Sequence, residues 1–301
     1  MSKTQSQRWR GLLVLFVSHL ARLLRPLDGR LLVWAFCVPY MRVHPRPKDT
    51  KLLDGAEYFT STFNKRSVGW WRIGNEKKRV LLMHGWAGNS TQLAPWVAGL
   101  RAQGFSIVAM DAPAHGESSG LRACMDTTTG ALLEFAKETG PYEGVVAHSF
   151  GGLTVSRALQ EGLEANRIVI ISSPTGPHYF FRKMMKILKI PEKRWVPIDD
   201  YLTRRMGYSL PELDVKNVWS ELKNPVFVVH DQQDKEVNFS CHQDWLDAVP
   251  HAKDMITDGF GHRRILTTPK VIDAGISFLV ENAVSTVETA TDNQVAHDAP
   301  A

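Results

Sequence analysis

The chain has 301 residues, 44% hydrophobic and 22% charged, enough apolar surface for a large core in one or two domains, which excludes disorder throughout. Its net charge of +5 is unevenly spread: residues 1–51 carry ten Lys and Arg against Asp28 and Asp49, so the remaining 250 residues sum to −3. Positive charge confined to one end argues against a nucleic-acid-binding body and points to an arm with an anionic partner.

Residues 1–51 form that arm. Its apolar runs, Gly11 to Ala21 and Leu31 to Met41, are eleven residues each, whereas a spanning helix needs about 20. The stretch Ser18-His19-Leu20-Ala21-Arg22 offers no small-x-small cleavage site of the kind that follows a secretory signal. At helical spacing Trp9, Leu12, Leu13, Phe16, Leu20, Leu23 and Leu24 share one face, with Arg8, Arg10, Arg22 and Arg25 outside it and Pro26 closing the pattern. This predicts a basic amphipathic helix lying on an anionic membrane surface. Packing of the same stripe against the protein's own body, or a tilted anchor built with residues 31–41, are the competing readings.

From about residue 57, apolar runs of strand length alternate with helical segments, the pattern of a mostly parallel sheet flanked by helices, an α/β fold over residues 52–284. Residues 57–73 predict a leading hairpin. Strands are expected at Arg79–His84, Phe105–Asp111, Glu143–His148, Arg167–Ser172, Pro225–His230 and Ala252–Thr257, and helices at 91–103, 127–139, 150–162, 239–249 and 269–284. The interval from about 174 to 224 is too long for a plain connection and predicts a short inserted cap. Within it the basic amphipathic stretch Phe180 to Lys189 holds Phe180 and Met184, which read first as cap core and second as a substrate groove. The acidic, polar tail 285–301 is expected to be disordered. The three cysteines, Cys37, Cys124 and Cys241, are odd in number and without a C-x-x-C pair, which argues against a disulfide framework or a cysteine zinc site and for a reducing compartment.

Open parallel sheets bind ligands beyond the carboxyl ends of their strands, and the unusual residues collect there. His84-Gly85-Trp86-Ala87-Gly88 follows the first core strand, Asp111-Ala112-Pro113-Ala114-His115-Gly116-Glu117-Ser118 the second, and Ala147-His148-Ser149-Phe150-Gly151-Gly152 runs from the third into a helix. A serine on so sharp a strand-to-helix turn needs small neighbours two places away, which Ala147 and Gly151 provide. Serine needs a base to become a nucleophile, and a neutral imidazole needs a carboxylate to orient it. After later strands come Asp231-Gln232-Gln233-Asp234 and Gly259-Phe260-Gly261-His262, giving the chain order Ser149, Asp234, His262. Asp231 competes with Asp234 for the acid and otherwise braces the same loop. His84, His115 and His148 read as turn-bracing residues.

With these segments the chain resembles the α/β-hydrolases over about residues 57–284. The resemblance implies Ser149 as nucleophile, His262 as base and Asp234 as acid, with the backbone N–H groups of Trp86 and Phe150 forming an oxyanion hole. The position of Ala147 is usually glycine in that family. The stretch from Asp111 to Ser118 resembles the family's structural turn. The implied function is cleavage of a carboxylic ester or thioester on a small acyl substrate, with no metal or organic cofactor and no nucleic acid. The alternatives are acyl transfer or carbon–carbon bond cleavage on the same fold, and a membrane-attached binding module with an idle site. The expected location is cytoplasmic, with the arm peripheral on the inner face of the membrane.

Overall fold

A computed structural model of the protein describes residues 55–281 apart from 188, 189, 207 and 208, together with 33, 37–39, 42–45 and 53. The expected amphipathic helix from Trp9 to Leu24 and the tail from 285 onward lie outside the described residues.

Eight strands, β1 (Glu57–Phe63), β2 (Arg66–Ile73), β3 (Arg79–Met83), β4 (Ser106–Met110), β5 (Tyr142–His148), β6 (Ala165–Ile171), β7 (Val226–Asp231) and β8 (Lys253–Thr257), form one sheet in the order β1-β2-β4-β3-β5-β6-β7-β8. The β1–β2 and β2–β4 pairs are antiparallel and all others parallel. The first hairpin turns through Asn64 and Lys65, both with positive φ, as a two-residue turn matched to strand twist requires.

The core strands read as unbroken apolar runs because helices cover both faces. Side chains alternate between two cores: Leu81, Met83, Val145, Ala147, Ile168 and Ile170 face one, while Val80, Leu82, Val146, Val169 and Ile171 face the other. On the first face lie α2 (Met125–Thr139) and α3 (Phe150–Gln160), bringing Leu132, Phe135 and Leu153. On the second, a 3-10 turn over Ser90–Trp96 leads into α1 (Val97–Ala102), and α9 (Pro269–Val280) lies beside it; Trp96, Leu100, Val271 and Leu279 fill that core.

Between β6 and β7 the chain makes α4 (Pro177–Ile187), α5 (Trp195–Met206) and the single turn α6 (Val215–Val218). Phe181, Met185, Ile198, Leu202, Leu210 and Leu213 are buried and join the first core, while Phe180 is partly buried. Two basic side chains of α4 are engaged within the protein. Arg182 lies over the Trp195 ring and pairs with Glu192, and Lys183 donates to the Glu236 carbonyl. Past β7, α7 (Ser240–Ala248) precedes β8, and α8 (Gly261–Arg264) follows it. Among the described residues no helix is long and apolar enough to cross a membrane.

One expectation is overturned: Cys37 and Cys124 form a disulfide, with Cα atoms 5.0 Å apart. They are 87 residues apart in sequence, and linear spacing does not report which loops the fold brings together. The pairing removes the ground for expecting a reducing compartment. Around it, residues 37–39 and 42–45 contact the loops after β3 and β4. Ala123 N–H donates to the Cys37 carbonyl at 2.7 Å, the Arg42 guanidinium to the Gly116 and Ser118 carbonyls at 2.8 and 2.6 Å, and the Asn89 amide to the Val43 carbonyl at 3.0 Å. Cys241 is free and buried, and burial pushes its thiol up to about 12.

Candidate active site

Ser149 sits between the end of β5 and the first residue of α3 with φ 53° and ψ −123°, a conformation that costs a non-glycine residue about 1–3 kcal/mol and persists only where its surroundings enforce it. Two bonds do so: Ser149 N–H donates to the Ile171 carbonyl and Gly152 N–H to the Ser149 carbonyl, each at 2.9 Å. The small neighbours have distinct reasons. A Cβ on Gly151 would lie 2.6 Å from the His84 carbonyl oxygen and 2.7 Å from that of Met83, fixed backbone atoms that leave room for glycine alone. Ala147 is fully buried inside the sheet, in register with Met83 and Ile170, so its methyl is accommodated.

The loop after β3 runs directly against this elbow. A Cβ on Gly85 would lie 2.9 Å from both Ser149 Cβ and His148 Nδ1. Trp86 stands edge-on to Phe150 with ring centroids 5.3 Å apart, and edge-on to His115 at 5.1 Å. Phe150 opens α3, where a backbone N–H has no intrahelical acceptor. Trp86 and Phe150 thus pack together next to the serine.

Around them the polar groups brace turns. His84 Nε2 accepts from the Ala112 N–H at 3.0 Å, so its Nδ1 carries the proton and donates to the Gly85 carbonyl at 2.7 Å. His115 donates to the Pro113 carbonyl at 2.9 Å. Burial pushes His84 down to about 4 and His115 to about 3, the latter helped by the neighbouring His84. Asp111 accepts from the Ser90 and Glu117 N–H groups at 2.6 and 2.8 Å, tying the loops after β3 and β4 together. Burial raises its carboxyl despite those donors.

On the other side, His262 Nδ1 lies 2.7 Å from Asp234 Oδ2, with both side chains nearly sealed from solvent. Asp234 Oδ1 accepts from the Glu236 and Val237 N–H groups at 2.8 and 2.9 Å, and His230 Nε2 is 3.5 Å from Oδ2. Burial alone would raise the Asp234 pKa. The hydrogen bonds from His230 and His262 outweigh it and hold the carboxylate well below the usual range. Among the described residues Asp231 makes no hydrogen bond or ion pair with an imidazole. It accepts from Gln233 N–H, Thr257 hydroxyl, Phe260 N–H and Gly261 N–H at 2.8–3.0 Å, and these donors likewise outweigh burial to keep it ionised.

Two histidines enter the site beyond the sequence-based assignment of Ser149, His262 and Asp234. His230 lies four residues before Asp234, and only the return of the loop brings its ring to the carboxylate. His148, adjacent to Ser149, reaches His262: its Nε2 is 2.9 Å from the His262 carbonyl oxygen, and the two rings are 4.6 Å apart. Its place inside the elbow motif was the available signal. Among the described residues no cluster of His, Cys, Asp and Glu could hold a metal ion.

Comparison with known proteins agrees with this architecture. Residues 80–296 match the model of the alpha/beta hydrolase family. An esterase from Pyrococcus furiosus superposes with a TM-score of 0.60 at 23% identity, covering 81% of this chain and 96% of that one. The thioesterase domain from the curacin biosynthetic pathway superposes with a TM-score of 0.56 at 16% identity, covering 74% and 98%. At these identities the likeness is one of fold. The dihydrolipoyllysine-residue acetyltransferase component of the acetoin cleaving system of Cupriavidus necator is 32% identical over 110 residues, 35% of this chain and 29% of that protein, so the chain spans less than a third of that relative. By its sheet, its strand-end loops and the family match over most of its length, the chain belongs to the alpha/beta hydrolase family.

Proposed function

We propose that the protein is a serine hydrolase that cleaves a carboxylic ester or thioester through an acyl-enzyme. The observations that carry this reading are the short contact between His262 Nδ1 and Asp234 Oδ2 and the strained serine at a helix N-terminus, whose neighbour His148 reaches the His262 carbonyl. Because Nδ1 is bonded to the carboxylate, Nε2 of neutral His262 is the basic nitrogen. In this mechanism it takes the proton of Ser149 as Oγ attacks the substrate carbonyl, and the ionised Asp234 stabilises the imidazolium that forms. The tetrahedral oxyanion accepts from the N–H groups of Trp86 and Phe150, where one such donor is typically worth about 3 kcal/mol. Collapse expels the alcohol or thiol, which receives its proton from His262. Water then repeats the sequence to release the acid and restore Ser149.

The family membership and the esterase and thioesterase among the structural neighbours support hydrolysis at an ester or thioester. The acetyltransferase relative supports a second reading in which the acyl group passes to an acceptor other than water, since the first half-reaction is the same. The test is labelling of the purified protein with a fluorophosphonate, followed by turnover of 4-nitrophenyl esters of graded chain length and of acyl thioesters. Labelling at Ser149 with release of free acid supports the proposal. No labelling would leave the idle binding module, and acyl transfer to an added alcohol or amine in preference to water would favour the second reading.

A further inference from the structure

His148 is a buried titratable group that the mechanism above does not use, and it touches three parts of the site at once. It is the last residue of β5, 1% exposed, and covalently adjacent to Ser149. A carbonyl oxygen only accepts, so the 2.9 Å contact from His148 Nε2 to the His262 carbonyl fixes the proton on Nε2. Nδ1 is then a bare acceptor. It is buried without a hydrogen-bond partner, and it faces the Cα of Gly85 so closely that no side chain fits between. The imidazole is therefore wedged between the loop carrying Trp86 and the loop carrying His262.

The backbone around His262 needs such a tie. It sits in a single helical turn reached through Gly259 and Gly261, both at positive φ. On the far side, Asp231 holds the N–H groups of Phe260 and Gly261, and Asp234 holds the imidazole itself. On the near side, the described bond from this backbone to the elbow comes from His148. The groups facing His148 are Gly85, the His262 ring, Asp234 behind it and Arg263. Burial first, and the positive charge of His262 second, drive His148 well below its ordinary pKa. It stays neutral beside the base.

We propose that His148 is a positioning residue: its Nε2–H tethers the backbone of His262 to the nucleophile elbow and so sets the separation of base from serine. This rests on the serine-hydrolase reading above. A displacement of about 1 Å in a reacting group can cost on the order of 100-fold in rate, so one tether across the site has catalytic leverage without touching substrate.

The test is a matched pair. His148→Gln keeps a donor at the reach of Nε2, whereas His148→Met has similar length and no donor. Both lose the ring, so packing losses are shared. Assayed well below their melting temperatures, the Met variant should have a kcat about 10- to 100-fold lower than the Gln variant at similar KM, with fluorophosphonate labelling slowed in proportion. Equal kcat for the two, whether both high or both low, would overturn the tether. Ser149→Ala, run beside them, separates the two readings: turnover surviving there removes the hydrolase mechanism itself, while a dead Ser149→Ala with equal Gln and Met variants removes only the role of His148.

Discussion

Oδ2 of Asp234 lies 2.7 Å from Nδ1 of His262 and 3.5 Å from Nε2 of His230, whose shorter contact is to the Val237 carbonyl at 3.3 Å. Three residues upstream, Asp231 spends both oxygens on the loop that carries His262. Asp234→Asn should lower kcat by about 10³- to 10⁴-fold, because the imidazolium loses its counter-charge. Asp231→Asn should instead destabilise the fold by about 1–3 kcal/mol through unsatisfied loop donors, with a smaller effect on kcat. Urea titrations and steady-state kinetics on the pair check this, and reversed effects would make Asp231 the acid.

Ser149→Ala and His262→Ala should each reduce turnover by about 10⁴-fold or more, and the double variant should be no worse than the poorer single, since the groups act as a unit. A double variant whose loss is the product of the singles would show that the two residues act independently.

The strap formed by residues 37–39 and 42–45 predicts a redox-sensitive stability. The disulfide closes a long loop, and removing one of this kind typically costs about 2–4 kcal/mol. Cys37→Ser, or added reductant, should lower the melting temperature of the full chain, and reductant should have no further effect on the variant. Melting curves that coincide with and without reductant would dismiss the strap as a stabilising element.

Two truncations distinguish the strap from the predicted amphipathic stripe. Deleting residues 1–30 removes Trp9 to Leu24 and leaves Cys37 and Arg42. The full chain should float with anionic liposomes in a salt-sensitive manner, and this truncation should stay active but no longer float. Deleting 1–48 should also lower stability, because the Arg42 bonds and the disulfide go with it. A full chain that does not float would end the membrane reading.

Acid should destabilise the protein earlier than carboxylate titration alone requires. His84, His115 and His148 are held neutral in the fold at pH values where the unfolded chain, with histidines near 6.5, is protonated. Between pH 6.5 and about 4 the unfolded state therefore binds more protons, and stability falls as pH falls, by up to about 1.4 kcal/mol per pH unit for each histidine. Asp111, raised by burial, acts in the opposite sense in part of this range. Asp231 and Asp234, both lowered, add their loss only below the usual carboxylate range. Urea midpoints at pH 7, 6 and 5 should decline in that order, and a flat series would contradict the neutral histidines.

The sequence by itself determined the sheet, its helices and the places where chemistry collects. Strands such as Val80–Met83 and Ile168–Ile171 are buried on both faces, so they appear as apolar runs, and a parallel sheet gathers its reactive loops at one strand end. Ser149 was legible from the small residues at 147 and 151, a local steric demand. What local pattern does not carry is distance between segments. Asp231 and Asp234 share one loop and one residue type, and the return of residues 259–262 decides which carboxylate meets His262. Cys37 meets Cys124 across 87 residues, and His148 meets His262 across 114. Those pairings form only in the folded chain, where the loops after the parallel strands lie together at one end of the sheet. Burial there removes competing water, so a few long-range hydrogen bonds set the geometry of the site.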